Sequence, residues 1–378
     1  MKTRRVALKT ASVIAAAALL AAVPVSMPKG AFTSAPMTAY ADSQSLGDLL
    51  YSEVNGEITI TGSNPKAASA EIPATINGKP VTAIGDNAFN GSSISSVTIP
   101  DSVRTIGNYS FNMCRNLKSV TLPESIEYIG IRAFEFCSSL SEINFPDHMI
   151  DFSSKVFDST PWMTAQRQKS DLVVVNGVLI DAENAKGDIV LSSDIKAVAS
   201  SAFQRNDKIT SVVFPSSIKK LKDNVFFYCS NLTSADVRYV TEIGSMAFAY
   251  CNKLTDLKLS GKLTKIDGYG FADVTSRASI TVYGSKSDWD KVEKNENDPF
   301  LRNASYTFDE SFVEPEDDIE GDVNADGKFN TSDLVVMNQW LVGNPDSGMK
   351  NWKAGDMDTN NKLDGFDLCL MRTALLSK

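Results

Sequence analysis

A phenylalanine returns every 22 or 23 residues along most of this chain. Phe89, Phe111, Phe134, Phe157, Phe203, Phe226, Phe248 and Phe271 are separated by steps of 22, 23, 23, 46, 23, 22 and 23. The step of 46 is two periods with one anchor missing. Other positions keep the same beat. Six residues after the anchor stand Leu117, Leu140, Ile209, Leu232 and Leu254, and nine after stand Val120, Ile143, Val212 and Leu257. Ahead of it runs Ile84-Gly85, Ile106-Gly107, Ile129-Gly130 and Ile243-Gly244. A unit of 23 residues cannot bury an apolar face alone, so the units must stack. The expectation is a solenoid with one continuous core and one parallel sheet. Leu117-Lys-Ser-Val120-Thr-Leu122-Pro123 alternates with period two and predicts a short strand closed by proline.

The beat fails between 158 and 202. That stretch holds Pro161-Trp162, the apolar runs Leu172–Ile180 and Ile189–Leu191, and Asn176-Gly177, a hairpin signal. The start of the array, Leu49 to Pro80, has a similar layout around Asn55-Gly56. Both read as hairpin-bearing repeats, the first capping the open strand edge and the second kinking or widening the stack. Cys114, Cys137, Cys229 and Cys251 each follow an anchor by three residues. They read as a buried ladder of free thiols packing like small apolar groups, and Cys369 reads as packing too. The order Ile-Gly, Ala-Phe, Cys, Leu, Pro resembles the BspA-like leucine-rich repeats of bacterial surface antigens. That resemblance implies short helical or irregular segments on the convex side.

The tail carries a second repeat. Asp322, Asn324, Asp326, Lys328, Asn330 and Asp333 in one loop match Asp356, Asp358, Asn360, Lys362, Asp364 and Asp367 in another, each pair 34 residues apart. Side-chain oxygens at loop positions 1, 3, 5, 9 and 12, with the carbonyls of Lys328 and Lys362 at position 7, have EF-hand calcium-loop spacing. A hard cation that takes roughly 6–8 oxygens needs such inward-turned alternate residues. Gly327 and Asn361 suit the positive φ of position 6. Leu334, Met337 and Leu341 recur as Leu368, Met371 and Leu375, so each loop is followed by a helix. No clear helix leads into either loop.

Two half EF-hands in tandem resemble a type I-like dockerin. The resemblance implies a small all-α domain at 321–378, two Ca²⁺ ions, and docking to a cohesin module of a scaffoldin in a cellulosome. It also implies which residues would touch the cohesin: Thr331, Ser332, Asn338 and Gln339 in copy one, Gly365, Phe366, Arg372 and Thr373 in copy two. Thr331-Ser332 fits the family's small hydroxyl pair and Gly365-Phe366 does not, so the two faces are not expected to be interchangeable.

Residues 1–41 read as a secretion signal, with a basic start, an apolar run from about Ala11 to Val25 and the small-residue site Ala39-Tyr40-Ala41. Thr3-Arg4-Arg5 also approaches a twin-arginine signal. The net charge is −9, and −14 without the five basic residues of that segment. So acidic a chain is a poor partner for nucleic acid, and no other stretch is long and apolar enough to span a membrane. The organisation expected is therefore a signal peptide at 1–41, a repeat solenoid at 42–306, an acidic linker at 307–320 and the dockerin. The protein would be secreted and extracellular. A charged run from Ser287 to Asn297 with Trp289 would close the array.

No recognisable pair of carboxylates sits on a catalytic loop, and the lone histidine, His148, reads as a turn residue. The leading function is a non-catalytic component whose solenoid binds a protein or polysaccharide ligand. A polysaccharide hydrolase or lyase on the solenoid, and a cell-surface adhesin, are the alternatives. Candidate contact positions are Ser119, Thr121, Glu142, Asn144, Ser211, Ser234, Asp236, Asp256 and Lys258 on the strands, and a rim of Met113, Phe136, Tyr228 and Tyr250.

Overall fold

The computed structural model describes residues 44–312, 321–324, 328–344, 347–350, 352–357 and 362–376. The signal segment, most of the linker and the loop residues Asp326, Asp358 and Asn360 lie outside the described residues. The repeats form a set of stacked coils with parallel strands, as the period predicts. Each regular coil is held to the next by three sets of backbone hydrogen bonds rather than by one sheet. The first set joins the predicted strands, Ser119–Thr121 to Glu142–Asn144, and farther on Ile209–Val213, Ser234–Val237, Asp256–Ser260 and Ser279–Tyr283. The second joins the Ile-Gly segments, Thr105–Ile106 to Tyr128–Ile129 to Asp151–Phe152. The third crosses the turns that carry the phenylalanines. Glycine follows isoleucine because the coils touch there: a β-carbon on Gly130 would lie 2.7 Å from the Asn108 nitrogen.

The anchors stack face to face inside the coils. Ring centroids are 4.9, 5.0 and 5.5 Å apart from Phe89 through Phe111 and Phe134 to Phe157. A second stack runs from Phe203 through Phe226, Phe248 and Phe271 to Phe300, at 4.9–5.3 Å. The core is thus two clusters, not the single continuous one expected. They meet at the interruption, where Trp162 closes the first stack 5.2 Å from Phe157. Trp162 sits on helix α1 (Pro161–Lys169), an element that the hydrophobic pattern did not reveal. Thr160 caps it, accepting the Met163 N–H at 3.1 Å, and Pro161 takes its first position.

The asparagine-glycine hairpins form as predicted. Leu49–Val54 turns antiparallel onto Glu57–Ser63 with φ of 55° at Asn55 and 83° at Gly56. Val173–Val175 turns onto Val178–Asp181 with 48° and 76° at Asn176 and Gly177. At the far end the array continues beyond the expected stop. Helices α2 (Lys286–Trp289) and α3 (Pro299–Asn303) bury Trp289 and Phe300, and Ser305–Phe308 pairs in parallel with Ser279–Tyr283. The sheet therefore runs two residues past the boundary drawn at 306. Tyr306 and Phe308 pack against the second core cluster, which is why the chain stays on the stack.

Helix α1 ties the two stacks together through Arg167. Its guanidinium bonds Asp158 of the first stack at 3.0 Å, and Asp181 at 2.9 and 2.6 Å and Glu183 at 2.8 Å on the second. Burial works against its charge and the Asp181 contacts outweigh that, so its pKa lies above the usual guanidinium value. The four repeat cysteines are fully buried free thiols, as the spacing suggests. Each donates to an anchor carbonyl of the preceding coil: Cys114 to Phe89, Cys137 to Phe111, Cys229 to Phe203 and Cys251 to Phe226, all at 3.0 Å. Cys369, read as packing, is instead exposed, because its helix turns that face outward. The hydrogen bond with Cys114, and then burial, push the Cys137 thiol up; for Cys229 burial comes first and Cys251 second.

Three outcomes follow. Arg167→Met leaves Asp181 without its counter-charge and Asp158 with only Lys155 at 3.8 Å, and is expected to lower unfolding free energy by about 2–4 kcal/mol in urea titrations. In the native chain only Cys369 should react with a thiol reagent, the other four requiring denaturant. A thiol whose folded pKa is raised keeps its full stabilisation below the unfolded value and loses it as pH rises above that value. Stability should thus fall above about pH 8.5, by roughly 1.4 kcal/mol per pH unit for each of Cys137 and Cys229. Urea titrations from pH 7.5 to 9.5, in the range around that unfolded value, measure it, and a flat profile contradicts it.

Candidate functional site

The tail is built as two copies of one device. Helices α4 (Thr331–Leu341) and α6 (Gly365–Leu376) each leave a loop, and the four-residue helix α5 (Trp352–Gly355) precedes the second loop. Met337 and Met371, at equivalent places, are fully buried with Val323 and Leu368. The loops begin on close contacts. A β-carbon on Gly321, at φ 90°, would lie 2.4 Å from the Phe329 ring, and one on its equivalent Gly355 would lie 2.7 Å from Val323. The Gly321 N–H donates to Ala354 O at 2.6 Å and the Lys350 N–H to Val323 O at 2.9 Å, which lashes the front of loop one to the approach of loop two.

The loop ends match as well. Asp333 accepts the N–H groups of Asn324 at 3.2 Å and Asn330 at 2.9 Å. Asp367 accepts those of Met357 and Asp364, both at 2.9 Å. Both carboxylates are completely buried. Three residues earlier, Asn330 accepts the Ser332 N–H at 2.8 Å and Asp364 the Phe366 N–H at 2.7 Å, so position 9 caps each helix. The structure thus brings together Asn324, Asn330 and Asp333 in loop one and Asp364 and Asp367 in loop two. Asp322 is buried, Asp356 half-buried, and Lys328 and Lys362 exposed. The donor set is oxygen throughout and rich in carboxylate, which fits a hard divalent cation and no softer metal. Among the described residues no three acids, histidines or cysteines cluster closely enough to hold a metal, and Asp326 and Asp358 are outside that description.

The residues assigned to cohesin contact stand at the surface. Thr331, Ser332, Asn338, Gly365, Phe366, Arg372 and Thr373 are exposed and Gln339 is half-buried. Ser332 is held in place, its Oγ accepting from the Asn324 amide at 2.9 Å. Val335, Trp340 and Val342 are exposed beside the first set. Sequence reasoning did not pick them out, although the 34-residue register puts Cys369, Ala374 and Leu376 in their places and so marks the faces as different.

On the solenoid, Ser119, Thr121, Glu142 and Asn144 are exposed, and Ser211, Ser234, Asp256 and Lys258 are half-buried. Asp236 is corrected: it is buried, paired with Arg238 (Nε at 2.9 Å) and Lys258 at 3.6 Å, while Arg238 lies 4.4 Å over the Tyr283 ring and 5.4 Å over Phe312. A neighbouring aromatic pair thus covers what the alternation alone placed in solvent. The rim residues Met113, Phe136 and Tyr228 are exposed and Tyr250 half-buried, all at φ of 59–63°. His148 is a turn residue whose Nε2 meets Ile126 O at 2.8 Å.

Residues 68–170 and 184–291 match the BspA type Leucine rich repeat region in 6 copies, which is more than half of the chain. The chain belongs to the BspA-type leucine-rich-repeat family. Residues 320–376 match the Dockerin type I domain, so the repeats are followed by a dockerin. Dockerins of this type are calcium-binding, cohesin-docking modules of the cellulosome kind, and both modules are extracellular or cell-surface types. Solved structures similar to the chain include a leucine-rich-repeat protein of T. pallidum, at 26% identity over 55% of this chain and 88% of that one, with a TM-score of 0.33. Another, from Bacteroides capillosus, is 32% identical over 32% of this chain and 93% of its own, with a TM-score of 0.29. A leucine rich cell surface protein of Faecalibacterium prausnitzii is 19% identical over 68% and 98%, with a TM-score of 0.31. No curated protein matches the chain. Among the described residues no helix is long and apolar enough to cross a membrane.

Because Asp333 fixes both the loop and the first turn of α4, Asp333→Ala should lower the helicity of the tail by melting α4, with a local cost of about 1–2 kcal/mol. Amide exchange at 331–341 measures it, and unchanged protection would contradict the arrangement.

Proposed function

We propose that this is a secreted, non-catalytic component of a cellulosome-type polysaccharide-degrading complex. The tail takes up two calcium ions and docks a scaffoldin cohesin, while the solenoid holds a protein or polysaccharide ligand. The observation that carries the reading is the pair of buried carboxylates, Asp333 and Asp367, set identically at the ends of two oxygen-rich loops. Asp322, Asn324, Asp326, the Lys328 carbonyl, Asn330 and Asp333 would hold one ion. Asp356, Asp358, Asn360, the Lys362 carbonyl, Asp364 and Asp367 would hold the other. Bound calcium would supply the positive charge that lets these carboxylates crowd together.

The helical faces beyond the loops carry the docking surface in this reading. Thr331, Ser332, Asn338 and Gln339 offer a polar face; Gly365, Phe366, Arg372 and Thr373 offer one with a bare ring, and a cohesin distinguishes them. Residues 1–41 direct export, and 313–320, with Glu314, Glu316, Asp317, Asp318 and Glu320, tether the modules through self-repelling charge.

Calorimetry on the full chain should register uptake of two ions per molecule. Chelation should abolish cohesin capture and the helical signal of the tail, while the solenoid's cooperative melt is unchanged. Cohesin capture that survives chelator, or no heat of calcium binding, would overturn the reading. Asp322→Ala with Asp356→Ala should reproduce the effect of the chelator.

A further inference from the structure

The turns that carry Phe89, Phe111, Phe134, Phe203 and Phe226 each donate three backbone N–H groups to the next, and the turn of Phe248 donates two. Tyr109, Phe111 and Met113 donate to Ile131, Ala133 and Glu135 at 2.8, 2.8 and 2.9 Å. Arg132, Phe134 and Phe136 donate to Ser154, Val156 and Asp158 at 2.9, 2.8 and 3.1 Å. At the interruption the series stops. The equivalent N–H groups of Lys155, Phe157 and Ser159 meet no acceptor among the described residues, and Phe157 is fully buried. Across the gap, the Ser200 and Gln204 carbonyls meet no donor among the described residues, whereas their counterparts on the next coil, Asp223 and Phe227, accept from Ser201 and Arg205.

The coil that should lie between is cut short. Its strands still pair with the next coil, but in the turn ladder a single backbone bond crosses, Ala182 N–H to Ala202 O at 2.9 Å, before the chain turns back at Ala185. What remains is a groove of about 410 Å³ lined by both turns, with Asp181 and Glu183 among its lining. One wall is a row of donors and the other a pair of acceptors. A buried N–H without an acceptor costs about 1–3 kcal/mol; of the three donors Phe157 is buried, Lys155 half-buried and Ser159 exposed, so a ligand that brings a carbonyl to Phe157 gains most.

We propose that this groove binds an extended, acidic peptide segment, whose backbone takes the place of the missing turn: its carbonyls accept from Lys155, Phe157 and Ser159, and its N–H groups donate to Ser200 and Gln204. A peptide is favoured because one backbone carries both the carbonyls that the donor wall takes and the N–H groups that the acceptor wall takes. The charge preference comes from what is left unpaired. Arg167 engages Asp158, Asp181 and Glu183, whereas Arg205 at the lining is exposed and has no ion pair among the described residues. The proposal deepens the ligand-holding half of the function above and is independent of the dockerin.

The test uses the full chain. A display library of random linear peptides is selected on the wild-type protein and counter-selected on Ser159→Tyr. That variant is expected to fold, because Phe136, Tyr228 and Tyr250 occupy the same place at the same positive φ in other coils, and to put bulk on a residue that lines the groove. Enriched peptides should carry Asp or Glu, slow amide exchange at 155, 157 and 159, and lose affinity about tenfold or more when their backbone is N-methylated. No enrichment over Ser159→Tyr, binding indifferent to N-methylation, or protection confined to other coils would overturn it. Oligosaccharides that protect these amides in the peptide's stead would do the same. Calcium-dependent cohesin capture by the same preparation reports on the wider function separately.

Discussion

The solenoid depends on a coincidence of two lengths. Parallel backbone rungs repeat at about 4.7–4.9 Å, and flat phenyl rings stack at closely similar separations. Along both stacks the centroids stay within 4.9–5.5 Å, and from Phe89 to Phe111 the rings are 2° from parallel. A coil can therefore satisfy its backbone and its core with one translation. The rest of the repeat is arranged around that spacing. Glycine follows isoleucine because a β-carbon would strike the coil behind, and cysteine follows phenylalanine because a thiol is small enough to fit and can donate to the carbonyl of the coil before.

The same spacing explains an otherwise costly backbone. Residues two before and two after the anchor take positive φ, and they include Tyr109, Arg132, Phe136, Tyr228 and Tyr250. Left-handed geometry costs an L residue roughly 1–2 kcal/mol. Each of these five also donates its N–H straight across to the neighbouring turn, so the strain sits where a hydrogen bond is recovered. A consequence is that the side chain at this place points off the coil. The exposed Phe136 and Tyr228 are where they are because the turn needs their N–H groups, and their rings follow.

Much of this was legible in the residues and some was not. The period, the parallel stacking, both asparagine-glycine hairpins and the thiol ladder could be read because each is written as a residue type at a fixed interval. The second and third ladders could not, since two-residue strands leave no alternation to detect. Helix α1 was hidden because nine residues with two buried side chains make a weak pattern. Phe300 escaped for a different reason: it fills the anchor slot from a helix, 29 residues after Phe271, and so falls off the beat. Asp236 misled because alternation reports which way a side chain leaves the strand. It cannot report that Arg238, Tyr283 and Phe312 will close over it.

The dockerin shows the reverse case, where the ligand spacing was plain and its mechanical meaning was not. Position 12 is aspartate in both loops, a shorter side chain than the glutamate usual there. In the structure Asp333 stands third in helix α4 and accepts the N–H of Asn330, while Asn330 accepts from the helix in return. Its negative charge also suits a helix N-terminus. One residue is thus the last oxygen of the loop and the first fastening of the helix. Thr331 and Ser332 lie between the two members of that capping box, with the backbone on either side already committed, so their side chains face outward. An ion drawn to Asp333 would tighten the cap and the loop in one step, and the surface presented by positions 10 and 11 would be set by the same carboxylate. In the second loop Asp364 and Asp367 repeat the arrangement around Gly365 and Phe366. The two loops are alike in how they would hold a cation and differ in what they would then display.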